Sequence, residues 1–148
     1  SCTDGVQPVY AMSKSIDVEA IKYLLDWSDY HGWWGVEEVE RCIRPPMMLG
    51  QYMVLRDDNK MPICFATWAF PNYEHVVEYT DSLEFPEGGY DGGGTVPWIV
   101  DFIAKGGKRN IAIGFRNLKS MLSSMGYSNA YWLRTETQKL GFHSLRSE

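Results

Sequence analysis

The sequence feature that most constrains the fold is an apolar run with a single carboxylate inside it, residues 97–104 (Pro-Trp-Ile-Val-Asp-Phe-Ile-Ala). Four of these eight residues are Ile, Val or Phe. Because β-branched and aromatic side chains crowd a helix and suit a pleated sheet, the run predicts a buried strand. Its carboxylate, Asp101, would be costly in an apolar layer unless it were hydrogen-bonded or paired. Asp101 is therefore either a structural buried acid or the partner of a functional group.

Length, charge and cysteine content exclude several classes of protein. A chain of 148 residues with 45% hydrophobic residues predicts one domain, residues 1–148, with its own core. No run reaches the roughly 18 uncharged apolar residues that cross a bilayer, and no signal peptide is expected at the start. The net charge of −5 argues against general nucleic-acid binding. Three widely separated cysteines predict neither a disulfide framework nor a metal site, and a mildly acidic cytoplasmic protein is expected.

Before the apolar run, the spacing of apolar residues predicts helices and a hairpin. Amphipathic spacing predicts helices over 16–27 and 36–42, and Pro45 and Pro46 are expected to stop the second helix. Two runs typical of strands, 51–56 and 61–69, flank a polar tetrapeptide and predict a β-hairpin. Residues 71–85 are expected to form a short helix or an irregular arm, and the glycine-rich stretch 87–94 predicts a loop.

After the apolar run, the pattern predicts one more helix and further strands. Residues 111–125 have an amphipathic pattern that ends at Gly126, which is typical of a helix terminus. Residues 130–134 predict a strand, and 142–145 a further strand. The order of helix, hairpin, strand, helix and strand is typical of an α+β sheet flanked by helices.

His31 is the histidine whose surroundings suggest chemistry. It lies in a polar turn between aromatic clusters, three residues after Ser28, where the rings would form a partly dry pocket around an imidazole. The alternative is a histidine packed among aromatic rings for structure. The Gly-x-Ser-x-Gly, Walker A and His-Glu-x-x-His patterns are absent from the sequence, which argues against the enzyme classes that use them.

A basic turn after the apolar run is a candidate anion site. Residues 105–110 leave a strand and open a helix, so that free backbone N–H groups, the helix dipole and the cations Lys105, Lys108 and Arg109 converge. The phosphate of a carrier arm would fit there. The alternative is an ordinary basic turn between a strand and a helix.

These residues, in this order, resemble the toxin-activating lysine acyltransferases, the family that acylates repeats-in-toxin protoxins. The resemblance extends over residues 27–134, and its order and spacing make it fairly specific. It rests on the following pieces: Ser28-x-x-His31-x-x-Trp34, the hairpin 51–69, Tyr79, Gly94-x-x-x-Trp98-Ile99-x-Asp101, and Arg134.

The resemblance implies a fold similar to that of the Gcn5-related N-acetyltransferases, with a mixed, mostly antiparallel sheet flanked by helices, and often a dimer. It implies no bound cofactor, an acyl carrier protein with a phosphopantetheine thioester as donor, and an internal lysine of a protein as acceptor. Residues 107–112 keep only the last position of the coenzyme A turn of ordinary acetyltransferases, which argues against coenzyme A recognition. Two alternatives remain open: an acetyl-CoA-dependent N-acetyltransferase acting on a small amine, tRNA or protein, and a catalytically silent binding module.

The resemblance also implies roles for individual residues. His31 would be the general base or would carry the acyl group transiently, and Asp101 would hold its ring. Ser28 would hydrogen-bond the thioester carbonyl or the imidazole. The site would be shaped by Tyr79, Gly94 and Arg134, and Arg134 or the turn with Lys105, Lys108 and Arg109 would take the phosphate of the carrier arm.

Overall fold

The computed structural model describes residues 7–28, 32, 35–134 and 139–145. The described chain contains five α-helices, five strands and one 3₁₀ turn. The helices are α1 (Gln7–Trp27), α2 (Val36–Cys42), α3 (Arg44–Met48), α4 (Tyr73–Ser82) and α5 (Lys108–Ser124). The strands are β1 (Tyr52–Arg56), β2 (Pro62–Ala69), β3 (Trp98–Ala104), β4 (Asn129–Arg134) and β5 (Lys139–Ser144), and the 3₁₀ turn is Gly89–Asp91.

The five strands form one sheet in the order β1-β2-β3-β4-β5. Neighbouring strands run antiparallel except β3 and β4, which are parallel. A parallel pair needs a crossover connection, and α5 supplies it between β3 and β4. The mixed, mostly antiparallel sheet flanked by helices confirms the predicted α+β class and is compatible with a fold like that of the Gcn5-related N-acetyltransferases.

The two faces of the sheet carry separate apolar clusters. The cluster on the α1 face consists of Ile21, Leu24, Leu25, Ile43, Met47, Phe65 and Ile103. The cluster on the α5 face is built around Met53, Cys64, Ala66, Trp68, Ile99, Leu118 and Leu122. Neighbouring residues of β2, such as Cys64 and Phe65, belong to opposite clusters because side chains alternate along a strand. The central strands are therefore buried on both sides.

Most predicted elements are confirmed, and the differences have local causes. α1 begins at Gln7, before the predicted start at residue 16. α2 ends at Cys42 as predicted, but Pro45 and Pro46 lie at the start of α3, where a missing N–H costs little. The loop 87–94 contains a 3₁₀ turn, and the segment 71–85 forms a helix, α4. Within the described chain, no helix has the length and apolarity that crossing a membrane requires.

Candidate active site

A bulge in β3 determines where the Asp101 side chain lies. On β2, Thr67 pairs with Asp101, whereas the next residue, Trp68, pairs with Ile99. Val100 is therefore an extra residue on β3. A bulge of this kind bends the strand and redirects a side chain, and such bulges are frequent beside active sites.

The bulge places Asp101 on the face of the sheet that α1 covers. Asp101 is two residues from Ile103, which packs in the α1 cluster, whereas Ile99 packs in the α5 cluster. Asp101 is 8% exposed, and its backbone N–H donates to Thr67 Oγ1 at 3.2 Å. Thr67 is fully buried. Asp101 thus pairs with a buried threonine through its backbone N–H, and it lies on the face of the sheet that α1 covers.

Polar side chains that the sequence pattern did not single out lie within the electrostatic range of Asp101. Burial, followed by the negative charge of Asp101, raises the pKa of Tyr90 well above its ordinary value. The Tyr90 hydroxyl donates to the Cys42 carbonyl oxygen at 2.9 Å. Burial also raises the pKa of the Cys42 thiol; a hydrogen bond with Arg41 opposes this effect and the charge of Asp101 adds to it. Both groups therefore stay protonated at neutral pH. The signal in the sequence was Tyr90, the one aromatic residue within the glycine-rich stretch.

Tyr79 lies in an aromatic layer next to β3. It is 3% exposed, and its ring meets Phe85 edge-on at 5.1 Å and Trp98 at 6.4 Å between centroids. Trp98 in turn stacks on Tyr131 of β4 at 5.1 Å. The structure thus places Tyr79 beside the strand that carries Asp101, and a layer of rings extends from α4 to β4.

Gly94 holds the glycine-rich loop against the end of β2. Its N–H donates to the Phe70 carbonyl oxygen at 3.1 Å. A Cβ at position 94 would lie 2.1 Å from the Pro71 carbonyl oxygen, so this close approach admits only glycine. An open groove of about 480 Å³ lies beside it, and we call it the Asp91 groove. Its lining includes Gln51, Phe70, Asp91, Gly94, Thr95 and Tyr127.

Ser28 immediately follows α1 and is half-buried. Its N–H donates to the Leu24 carbonyl oxygen at 3.0 Å, and its own carbonyl accepts from Gly32 at 2.6 Å, which agrees with the predicted turn. His31 lies outside the described residues, and its role stays a prediction.

The predicted basic turn divides into two parts. Lys105 is directed to α1, where its Nζ donates to the Tyr23 hydroxyl and lies 4.4 Å from the centre of that ring. Lys108 and Arg109 are exposed at the start of α5. The turn follows β3, and Lys105 is four residues, roughly 13 Å along a strand, from Asp101. The structure therefore does not cluster the basic turn directly around the acid.

The remaining candidates are Arg134, a metal site and the buried thiol of Cys64. Arg134 ends β4 and pairs with Lys139 of β5, and its side chain lies outside the described part of the structure. Among the residues that the structure describes, no group of His, Cys, Asp and Glu is arranged to hold a metal ion. Burial raises the pKa of Cys64 to about 12, as expected for an inert core thiol rather than a nucleophile.

The chain is similar to known proteins of one family. Residues 14–129 match the model of the RTX toxin acyltransferase family. The chain is 29% identical over 115 residues to the leukotoxin-activating lysine-acyltransferase LktC of Pasteurella haemolytica-like sp. (strain 5943B), which covers 77% of this chain and 66% of that protein. It is 31% and 32% identical over 77 residues to LktC of Mannheimia haemolytica serotypes A11 and A1, covering 52% of this chain and 46% of each relative. The chain thus spans less than two thirds of the length of these relatives.

Proposed function

Because this chain belongs to the RTX toxin acyltransferase family, we propose that it transfers an acyl group to the ε-amine of a lysine in an acceptor protein. The observation that carries the proposal is the family match over residues 14–129, which includes Asp101 and the elements around it. The similarity to leukotoxin-activating lysine-acyltransferases supports a protoxin-like acceptor.

The chemistry requires a group that removes a proton from the attacking amine. The ordinary pKa of lysine is about 10.4, so nearly all of the amine is protonated and non-nucleophilic at neutral pH. We assign this task to His31, as general base or as transient carrier of the acyl group, with Asp101 holding its ring. The burial of Asp101 on the face that α1 covers supports this role, since Ser28 and His31 follow α1 directly in the sequence.

The reaction balances without a metal or a redox partner. The lysine nitrogen attacks the thioester carbonyl, the C–S bond breaks, and an amide and a free thiol are the products. The lysine ammonium loses one proton to solvent before the attack, and the second proton, lost once the nitrogen has bonded to the carbonyl carbon, passes through His31 to the leaving thiolate. Ser28 would donate to the carbonyl oxygen or to the imidazole, and Tyr79 and Gly94 would shape the walls.

The proposed donor is an acyl carrier protein. Lys108 and Arg109 are exposed at the first turn of α5, where backbone N–H groups and the helix dipole also favour a phosphate. With Arg134 they would bind the phosphate of the carrier arm, and Lys105 would support the turn through Tyr23.

We also propose that the protein is a homodimer, which sedimentation equilibrium tests directly.

The experiment is intact-mass analysis of a protoxin incubated with this protein and either an acylated carrier protein or the same acyl group on coenzyme A. The expected result is a mass increase on a lysine with the carrier only. Transfer from coenzyme A alone would replace the proposed donor, and no transfer from either donor would overturn the function.

The roles of His31 and Asp101 are tested with His31→Ala and Asp101→Asn. Each is expected to slow transfer by about 10² to 10⁴, the usual contribution of a positioned base, while the protein still unfolds cooperatively. Asp58→Asn is the control, since it removes an exposed carboxylate from the β1–β2 turn. Full activity in either site variant would contradict the His31–Asp101 assignment.

A further inference from the structure

We propose that the Asp91 groove binds a positively charged side chain of the acceptor protein, an arginine or lysine other than the lysine that is acylated. The proposal rests on the proposed acyl transfer and identifies a determinant of acceptor choice. Two neighbouring residues of the glycine-rich loop lie in opposite environments. Tyr90 is 3% exposed and lies in the field of Asp101, whereas Asp91, the next residue, is exposed and lines the groove.

The lining of the groove has the chemistry of a cation site. Of the described residues that line it, Asp91 is the only one with a charge. The rings of Phe70 and Tyr127, both half-buried, meet at 5.1 Å between centroids with an angle of 41°. A guanidinium or ammonium group is attracted both by a carboxylate and by the face of an aromatic ring. An anionic donor arm would instead meet the Asp91 carboxylate, so charge selects against it.

The groove is shaped before a ligand arrives. Gln51 Nε2 donates to the carbonyl oxygens of Trp68 at 2.9 Å and Tyr90 at 3.0 Å, which ties the start of β1 to the end of β2 and to the loop. The Gly94 N–H bond to Phe70 holds the other side. Its volume of about 480 Å³ falls within the range of about 300 to 1,000 Å³ that is usual for ligand sites. Because it is preformed, little ordering free energy is lost on binding.

The occupant is not the target lysine itself. A carboxylate beside an ammonium raises the pKa of the amine and keeps it protonated, which is the opposite of what an acyl acceptor needs. The target lysine is instead the one that the proposed base, His31, deprotonates with Asp101 holding its ring, and a second cation of the same acceptor segment occupies the groove. Two contact points on either side of Tyr90 would fix the direction in which the segment lies.

The experiment measures the binding of two synthetic peptides by isothermal titration calorimetry with no acyl donor present. In the arginine peptide, one lysine is flanked on each side by three arginines. In the citrulline peptide, three citrullines on each side keep the shape and lose the charge. An exposed ion pair and a cation–π contact together predict that the arginine peptide binds about 3- to 30-fold more tightly. In Asp91→Asn this ratio is expected to fall by about 1.5- to 5-fold. Asp58→Asn, which removes the same charge at the far end of the hairpin, is expected to keep the wild-type ratio.

Backbone amide shifts locate the bound peptide. The amides of Gly93, Gly94 and Thr95 are expected to move with the arginine peptide in the wild-type protein. An equal ratio in Asp91→Asn and Asp58→Asn, or shifts confined to other regions, would overturn the proposal. The proposed function fails in a different way, since a protein that never transfers an acyl group would still discriminate the two peptides at the groove.

Discussion

At the scale of single residues, the hydroxyl of Thr67 connects Asp101 to the sheet where the bulge interrupts the ladder. Thr67→Val keeps the shape of the side chain but removes the hydroxyl that accepts from the buried Asp101 N–H. We expect the free energy of unfolding to fall by about 1–3 kcal/mol, and the Asp101 amide to exchange with solvent faster than that of Ile103. Thr67→Ser keeps the hydroxyl and is the control, in which the two amides keep their relative protection. Unchanged protection of Asp101 in Thr67→Val would contradict this role.

The Cys64 thiol gives the protein a predictable response to alkaline pH. Burial raises its pKa from the ordinary value of 9.0 to about 12. Between these values the unfolded chain loses the thiol proton while the folded chain keeps it, so the unfolded state binds fewer protons and stability falls as pH rises. The slope approaches about 1.4 kcal/mol per pH unit above pH 9. Urea denaturation from pH 7.5 to 10.5 is expected to show a shallower decline for Cys64→Ala, whose lower absolute stability does not affect the slope. Parallel curves would be the contrary result.

The sequence identified Asp101 but not its neighbours, and the reason is physical. A carboxylate in an apolar run is visible locally, because burying a charge is costly wherever the strand lies. The bulge at Val100, which decides the face that Asp101 occupies, depends on pairing with β2. Tyr90 and Cys42 approach Asp101 only through tertiary structure, since 48 residues separate the two partners of their hydrogen bond. Such neighbours leave no periodic pattern in the sequence.

At the scale of elements, α5 packs closely on β2 and β3 because it has a glycine in its buried face. A Cβ at Gly114 would lie 2.6 Å from Cys64 Sγ and 2.9 Å from the Phe102 ring. Alanine in place of glycine usually stabilises a helix by about 0.5–1 kcal/mol, but here overpacking is expected to cost about 1–3 kcal/mol. Gly114→Ala is therefore expected to lower the free energy of unfolding, whereas helix propensity alone would raise it.

The matched control on α5 is Ser120→Ala, an exposed position where alanine is expected to gain a few tenths of a kcal/mol. Cys64→Ala combined with Gly114→Ala removes the sulfur that the new methyl group meets, so the double variant is expected to lose less than the sum of the single changes. A stabilised Gly114→Ala protein would contradict the close contact.

Helices and strands are predictable from the sequence where a single local pattern determines them. The β1–β2 hairpin and β3 follow from apolar runs with a polar turn between strands, and Gly126 has the left-handed φ of +99° expected just after a helix. The sequence pattern predicts the role of the two prolines wrongly, because proline is compatible with both the end of one helix and the first turn of the next. It also predicts too late a start for α1, because residues 7–15 lack the clear apolar spacing of the rest.

At the scale of the whole molecule, the strand order and the parallel pairing of β3 with β4 could not be read from element order alone. Helix, hairpin, strand, helix and strand is compatible with several sheets, and the family resemblance implies a mixed, mostly antiparallel sheet but no strand order. The structure shows how the single sheet positions Asp101 in the candidate active site. α1 and α5 cover opposite faces, so the α1 face presents Asp101 while the α5 face anchors the strand that holds it.

This shared sheet predicts that the two apolar clusters unfold together. Leu24 on the α1 side and Leu122 on the α5 side are both completely buried, and each truncation to alanine is expected to cost about 2–5 kcal/mol. Because β2 and β3 contribute to both clusters, either change is expected to shift one transition, at the same urea midpoint for tryptophan fluorescence and for circular dichroism. Two separated transitions in either variant would show that the faces are independent folding units. If the faces were independent, damage to the α5 face would leave the Asp101 side folded. A coincident loss of both signals excludes that outcome and shows that Asp101 is held in place only when both layers are packed.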